Sequence, residues 1–193
     1  MEKEPLNLTF DIETDGFDSK RVHCIVTQDI DSGLIEEYND EPYGKVGGEC
    51  CIKEQAPMRS SYSICNGMSA LMAASNIISH NGIAYDVPQL QKHYPFFREL
   101  MTPHWDTLIL SRYFHPNIYD IDDKRKWPFM PLRLYGSHSL EAWGYRLKCF
   151  KGAFAKPTDW QEWSPEMQEY CKKDVIVLSK LWQHFQKYLN PSS

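Results

Sequence analysis

Near its end the chain carries a carboxylate where the residue spacing calls for an apolar side chain, and this conflict limits what the fold can be. Ser164 is a good N-cap residue and Pro165 suits the first helical position. Met167, Tyr170, Cys171, Val177, Leu178, Leu181, Trp182 and Phe185 then recur with a helical period, so the spacing predicts a long helix with one apolar stripe. Asp174 lies in that stripe, one turn after Tyr170 and two after Met167. An unpaired carboxylate on a buried face costs on the order of several kcal/mol. Lys172 and Lys173 point elsewhere on the wheel, so Asp174 calls for a core arginine or a metal ion.

The rest of the chain alternates short strands and helices. Residues 6–13 (LNLTFDIE) alternate apolar and polar, as a half-buried strand does; 21–30 and 34–38 follow as strands of an antiparallel meander. Residues 39–66, with Pro42, Gly44, Gly47, Gly48 and Pro57, read as an irregular surface excursion. Helices are expected at 67–75, 86–99, 107–115 and 139–148, short strands at 76–79 and 104–106, and an irregular loop over 116–136. Strands first and interleaved helices afterwards favour a mixed α/β sheet in one domain over the 193 residues, with no internal repeat or linker.

Composition narrows the function classes. The start MEKEPLNLTF lacks a secretory pattern, and no stretch approaches the roughly 20 apolar residues of a membrane span. Cys24, Cys50, Cys51, Cys65, Cys149 and Cys171 form no C-x-x-C pair and no two pairs with zinc-finger spacing, so reduced thiols in a cytoplasm are expected. The net charge of −5 rules out a uniformly basic surface. A nucleic-acid partner would have to be met by a local basic patch or by bound cations.

Carboxylates supply such cations with ligands. In the first strand Leu6, Leu8, Phe10 and Ile12 share one face, while Asn7, Thr9, Asp11 and Glu13 share the other. Asp11 and Glu13 thus project side by side at the strand's C-terminal end, where open α/β sheets place ligands. Their repulsion invites a divalent ion, although D-x-[DE] triplets such as Asp29/Asp31 also arise by chance on solvated surfaces. In His80-Asn81-Gly82-Ile83-Ala84-Tyr85-Asp86, Asn81 and Gly82 make a turn; Asp86 arrives at the first turn of a helix, as a cap or as a ligand. Oxygen donors without a His or Cys cluster select Mg²⁺ or Mn²⁺, and two such ions about 3.5–4 Å apart suit an in-line phosphoryl displacement.

Asp11-x-Glu13, Asn81-x4-Asp86 and Tyr170-x3-Asp174 resemble the three motifs of the DEDDy (DnaQ-like, RNase H-like fold) 3′–5′ exonucleases. HNGIAYDVPQL at 80–90, DTLILSRYFHPN at 106–117, GSHSLEAWGYRLK at 136–148 and EYCKKDVIVLSK at 169–180 are most similar to the N-terminal proofreading domain of family A DNA polymerases of T-seven-type phages. The resemblance implies a five-stranded mixed sheet flanked by helices. It also implies hydrolysis of single-stranded or frayed DNA 3′ ends to nucleoside 5′-monophosphates, in proofreading or phage DNA replication in a host cytoplasm. By position, Asp11 would bridge two divalent cations, Glu13 and Asp174 would hold the ion that activates water, and Asp86 would hold the second. Tyr170 would orient the water; a sibling subgroup has His where Glu169 stands. Asn81 would touch substrate or only make its turn, whereas Asp106 and Arg112 read as structural. The chain ends at Ser193, just where the resemblance would place a polymerase domain, so it reads either as a free-standing exonuclease or as a fragment; a separate DNA polymerase subunit is an expected partner.

Alternatives of the same fold are an RNA-trimming exonuclease, told apart by contacts to the 2′-hydroxyl, and a non-catalytic module that scaffolds a polymerase, marked by loss of a carboxylate. For the DNA path, Lys124, Arg125, Lys126 and Arg133 interleave with Trp127 and Phe129, so the 116–136 segment is expected to supply positive charge and stacking surfaces. The competing reading is a solvated loop with both aromatics tucked into the core.

Overall fold

The computed structural model describes residues 6–40, 63–149 and 159–189. Most of the 39–66 excursion, together with Cys50 and Cys51, lies outside the described residues. Strands β1 (Asn7–Thr14), β2 (Val22–Asp29) and β3 (Ile35–Asn39) form the expected antiparallel meander. Gly33 supplies the positive φ (+74°) that turns β2 into β3, while the Asp29 carboxylate accepts hydrogen bonds from the Ser32 hydroxyl and N–H. On the other side of β1, β4 (Asn76–Ser79) and β5 (His104–Asp106) add in parallel, giving the order β3-β2-β1-β4-β5. The first strand in sequence is therefore the central one.

Helices cover both faces. On one, α1 (Ile64–Ala73) and α2 (Asp86–His93) bury Ile64, Met68, Leu71 and Leu90 against Leu8, Phe10 and Ile12 of β1. On the other, α6 (Pro165–Leu189) lays Cys171 and Val175 on Cys24 and Val26, and Leu178 and Trp182 on Ile78. Around α6 pack α3 (Thr107–Phe114), α4 (Ile118–Arg125) and α5 (Leu140–Arg146), with Ile118, Trp143, Leu181 and Phe185 in one cluster. No described helix is long and apolar enough to cross a membrane.

Four expectations need correction. Alternation suggested a half-buried β1, yet its polar face is covered by α6: Thr9 is fully buried, its hydroxyl 2.7 Å from that of Ser179. The first helix starts at Ile64 rather than 67, because Ser63 caps it by accepting the Asn66 N–H. The helix expected over 86–99 stops at His93; Pro95 forces Tyr94 out of helical geometry and opens a short 3₁₀ turn, Pro95–Glu99. The 116–136 segment is no irregular loop. It holds α4 and a 3₁₀ turn, Leu132–Leu134, arranged about the fully buried Asp122. The Asp122 carboxylate accepts two bonds from Arg146 (2.9 and 2.6 Å), one from Trp127 Nε1 and one from the Gly136 N–H.

Candidate active site

The polar side of β1 and the facing side of α6 meet at one end of the sheet. Asp11 and Glu13 stand two residues apart on β1, opposite Val26 and Cys24 in the β2 ladder, and the pairing shifts register just after Glu13. Cys171 on α6 donates its thiol proton to Asp11 Oδ2 at 3.6 Å. One donor atom each from Asp11, Glu13 and Cys171 lies within 4.8 Å of the others. Asp174, three residues further along α6, is half-buried: at this level the apolar stripe opens beside carboxylates instead of closing on core. Lys172 and Lys173 are engaged elsewhere, by Glu37 (2.7 Å) and Glu169 (3.5 Å).

Asp86 reaches the site from the opposite face of the sheet. Its approach depends on the turn before it, where Asn81 takes a positive φ (70°). The buried Asp106 fixes this turn, accepting the N–H of Asn81 (3.0 Å) and of Ile83 (3.2 Å) while capping α3 through Leu108 (2.9 Å). Gly82 packs so closely that a Cβ there would lie 2.2 Å from Ser79 Oγ and 3.2 Å from Asp86 Oδ2, so no larger residue fits. Asp106 thus has the structural place expected of it, and Arg112 is exposed on α3.

The electrostatics follow from this crowding. Burial, then the charges of Asp86, Glu13 and Asp174, push the Asp11 carboxyl well above the usual range. Burial, with Cys24, Asp174 and Asp86 adding repulsion, lifts Glu13 to about 9. Burial lifts Asp86 to about 7, although N–H donors from Asp86 itself and Ile12 pull the other way. Glu13 is 8% exposed, and among the described residues no hydrogen bond or cation meets its side chain. Burial thus raises Asp11, Glu13 and Asp86 alike, with the charge of Asp174 adding to the first two, and carboxyls so crowded fit a cation. Half-buried Tyr170, its ring edge-on to Trp160 at 6.1 Å, has its hydroxyl pushed up by burial and by Asp174, Glu13 and Asp11, so it stays a proton donor at neutral pH.

No family model matches the sequence. It is 31% identical over 197 residues to the DNA-directed DNA polymerase of Enterobacteria phage T3, across 90% of this chain and 26% of that protein. It is also 36% identical over 126 residues to the DNA-directed DNA polymerase of Escherichia phage T7, across 54% of this chain and 18% of that one. The chain is a DnaQ-like relative of these phage polymerases. It spans about a quarter of their length or less. Its five-stranded mixed sheet and flanking helices match the RNase H-like exonuclease fold of two solved structures: the catalytic core of RRP6 from Trypanosoma brucei (TM-score 0.55, 16% identity, 97% of this chain and 42% of that one) and the Aedes aegypti Nibbler EXO domain (TM-score 0.56, 14% identity, 97% and 81%).

The DnaQ-like fold brings Asp11, Glu13, Asp86, Tyr170 and Asp174 into one electrostatic neighbourhood, but not the basic cluster. Lys124, Arg125 and Lys126 sit on α4 and its left-handed cap, where Arg125 and Trp127 share a cleft with His184 and Lys187. On α6 that level is roughly 15 Å from Asp174, at 1.5 Å per residue. Lys126 is paired with Asp123, and Arg125 lies 5.0 Å over the Trp127 ring. Trp127 packs on Met130, Leu134 and Ala142, whereas Phe129 is 94% exposed. Asn81 offers its exposed side chain at the turn. In sequence Cys171 belongs to the apolar stripe; its place three residues before Asp174, on the same helical face, is the signal that connects it with the carboxylates.

Proposed function

We propose that the chain is a 3′–5′ exodeoxyribonuclease that hydrolyses single-stranded or frayed DNA 3′ ends to nucleoside 5′-monophosphates, using two divalent cations, Mg²⁺ or Mn²⁺. The single observation that carries this reading is Glu13, buried among like charges with no donor beside it. DNA as substrate, and a polymerase as partner, are supported by the relationship to the T3 and T7 polymerases. In this reading Asp11, Glu13, Asp86 and Asp174 hold the ions. Such ions supply charge compensation at the scissile phosphate and acidify the attacking water. Tyr170 orients that water through its hydroxyl. Asn81 meets the terminal nucleotide, and Lys124, Arg125, Lys126 and Trp127 lie along the path of the upstream strand, with Lys124 and Arg125 the more available cations.

The test is digestion of a 5′-labelled single-stranded DNA oligonucleotide and its RNA counterpart, with Mg²⁺ and with chelator. A DNA ladder shortening from the 3′ end only with Mg²⁺ is expected. DNA left intact with both Mg²⁺ and Mn²⁺ overturns the proposal, and preferred digestion of RNA reassigns the substrate.

Tyr170→Phe keeps the ring in place and removes one transition-state hydrogen bond, so turnover should fall roughly 10- to 100-fold with the melting temperature unchanged. Should full activity survive this change while Tyr170→Ala destabilises the chain, the ring is a packing residue only.

A further inference from the structure

We infer that Cys171 is a third donor beside Asp11 and Glu13, and that its sulfur gives the site a binding mode for thiophilic divalent ions such as Zn²⁺ and Cd²⁺ that Mg²⁺ does not use. This rests on the reading of Asp11 and Glu13 as cation ligands and adds a residue that the oxygen-only description leaves out. Cys171 is fully buried on the α6 face that meets β1, with its S–H aimed at Asp11 Oδ2, 3.6 Å away. A tetrahedral zinc ion with oxygen at about 2.0–2.2 Å and sulfur at about 2.3 Å sets those two atoms about 3.5 Å apart, so the observed separation already matches one edge of such a site. A Glu13 oxygen falls within the same 4.8 Å group, and the Glu13 side chain is nine-tenths buried with no hydrogen-bond or cationic partner among the described residues.

Softness then divides the metals. Mg²⁺ takes oxygen and leaves the thiol protonated as a donor to Asp11, whereas Zn²⁺ and Cd²⁺ bind sulfur as thiolate. The step is M²⁺ + R–SH → [M–SR]⁺ + H⁺: the metal–sulfur bond forms as the S–H bond breaks, the proton leaves to buffer, and no electron is transferred. The consequence is a nuclease whose Mg²⁺ is displaced by traces of zinc, with turnover blocked.

The experiment titrates the full chain, kept reduced with a phosphine, with Cd²⁺ in the absence of Mg²⁺. It follows the ultraviolet sulfur-to-cadmium charge-transfer band, and X-ray absorption of the zinc-loaded wild-type chain counts sulfur neighbours. We expect a saturable band that disappears in both Cys171→Ser and Cys171→Ala, with Cd²⁺ affinity relative to Mg²⁺ lower by at least about tenfold. We also expect one sulfur at about 2.3 Å in the wild type, which needs no variant to fold. A cadmium titration unchanged in both variants, or a zinc shell without sulfur, overturns the assignment. If Asp11→Asn at the same time loses Mg²⁺ binding, the carboxylate site stands without the thiol. If the wild-type chain binds neither Mg²⁺ nor Cd²⁺, the carboxylate reading falls too.

Discussion

Asp11→Ala and Asp174→Ala should each lower the rate of 3′-end cleavage by at least about 100-fold while the chain stays folded. On the proposed reading, each change removes a metal ligand and leaves the remaining carboxylates with the wrong total charge for the ions. The metal-free protein should respond in the opposite sense, because Asp11, Glu13 and Asp174 repel one another. Glu13, raised by burial from the usual 4.5 to about 9, holds in the folded chain a proton that the unfolded chain releases. Its contribution to stability is therefore fully present below pH 4.5 and is lost as the pH rises through 9. Asp86, raised to about 7, acts in the same direction over a lower range. Burial holds His80 and His184 down near 4, so both are uncharged above neutrality and do not oppose the effect. In chelator the melting temperature should fall by at least about 3 °C from pH 7 to pH 9, Mg²⁺ should restore it, and Glu13→Gln should remove most of the fall. Wild-type cleavage by Asp174→Ala would take Asp174 out of the site, and a melting temperature indifferent to pH in chelator would mean that the carboxylates do not repel.

Arg146→Ala should be the most destabilising single change away from the site, by about 3–5 kcal/mol, which for a chain of this size lowers the melting temperature by roughly 10 °C. Arg146 and Asp122 form an ion pair with side chains 3% and 0% exposed, and the same carboxylate gathers Trp127 and Gly136. Removing the guanidinium leaves a buried charge with only neutral donors around it. Replacing both partners with apolar residues, Arg146→Met with Asp122→Leu, should cost less than Arg146→Ala alone, since no charge is then stranded. Thermal melts of the three variants decide the matter; a loss below about 1 kcal/mol in Arg146→Ala would show that the pair does not hold α4 and α5 together.

The strands and the carboxylates were legible because their signals are local. Alternation marked β1, β2 and β3 to within two residues, and a stripe broken by a charged residue marked α6 and singled out Asp174. That break in the stripe is visible in the sequence, whereas in space the half-buried Asp174 stands beside Asp11 and Glu13 and not in apolar core. What could not be read depended on partners far along the chain. Asp122 looks like one more solvated acid on a charged segment, and only Arg146, 24 residues later, makes it the centre around which 116–136 folds. The polar face of β1 looks wet until Ser179, 170 residues away, covers Thr9. Cys171 looks like core, and in burial it is. Only when α6 is laid across β1 does its sulfur come to rest against Asp11, because helix period and strand period place side chains on faces, while the packing of one face on another decides which atoms meet.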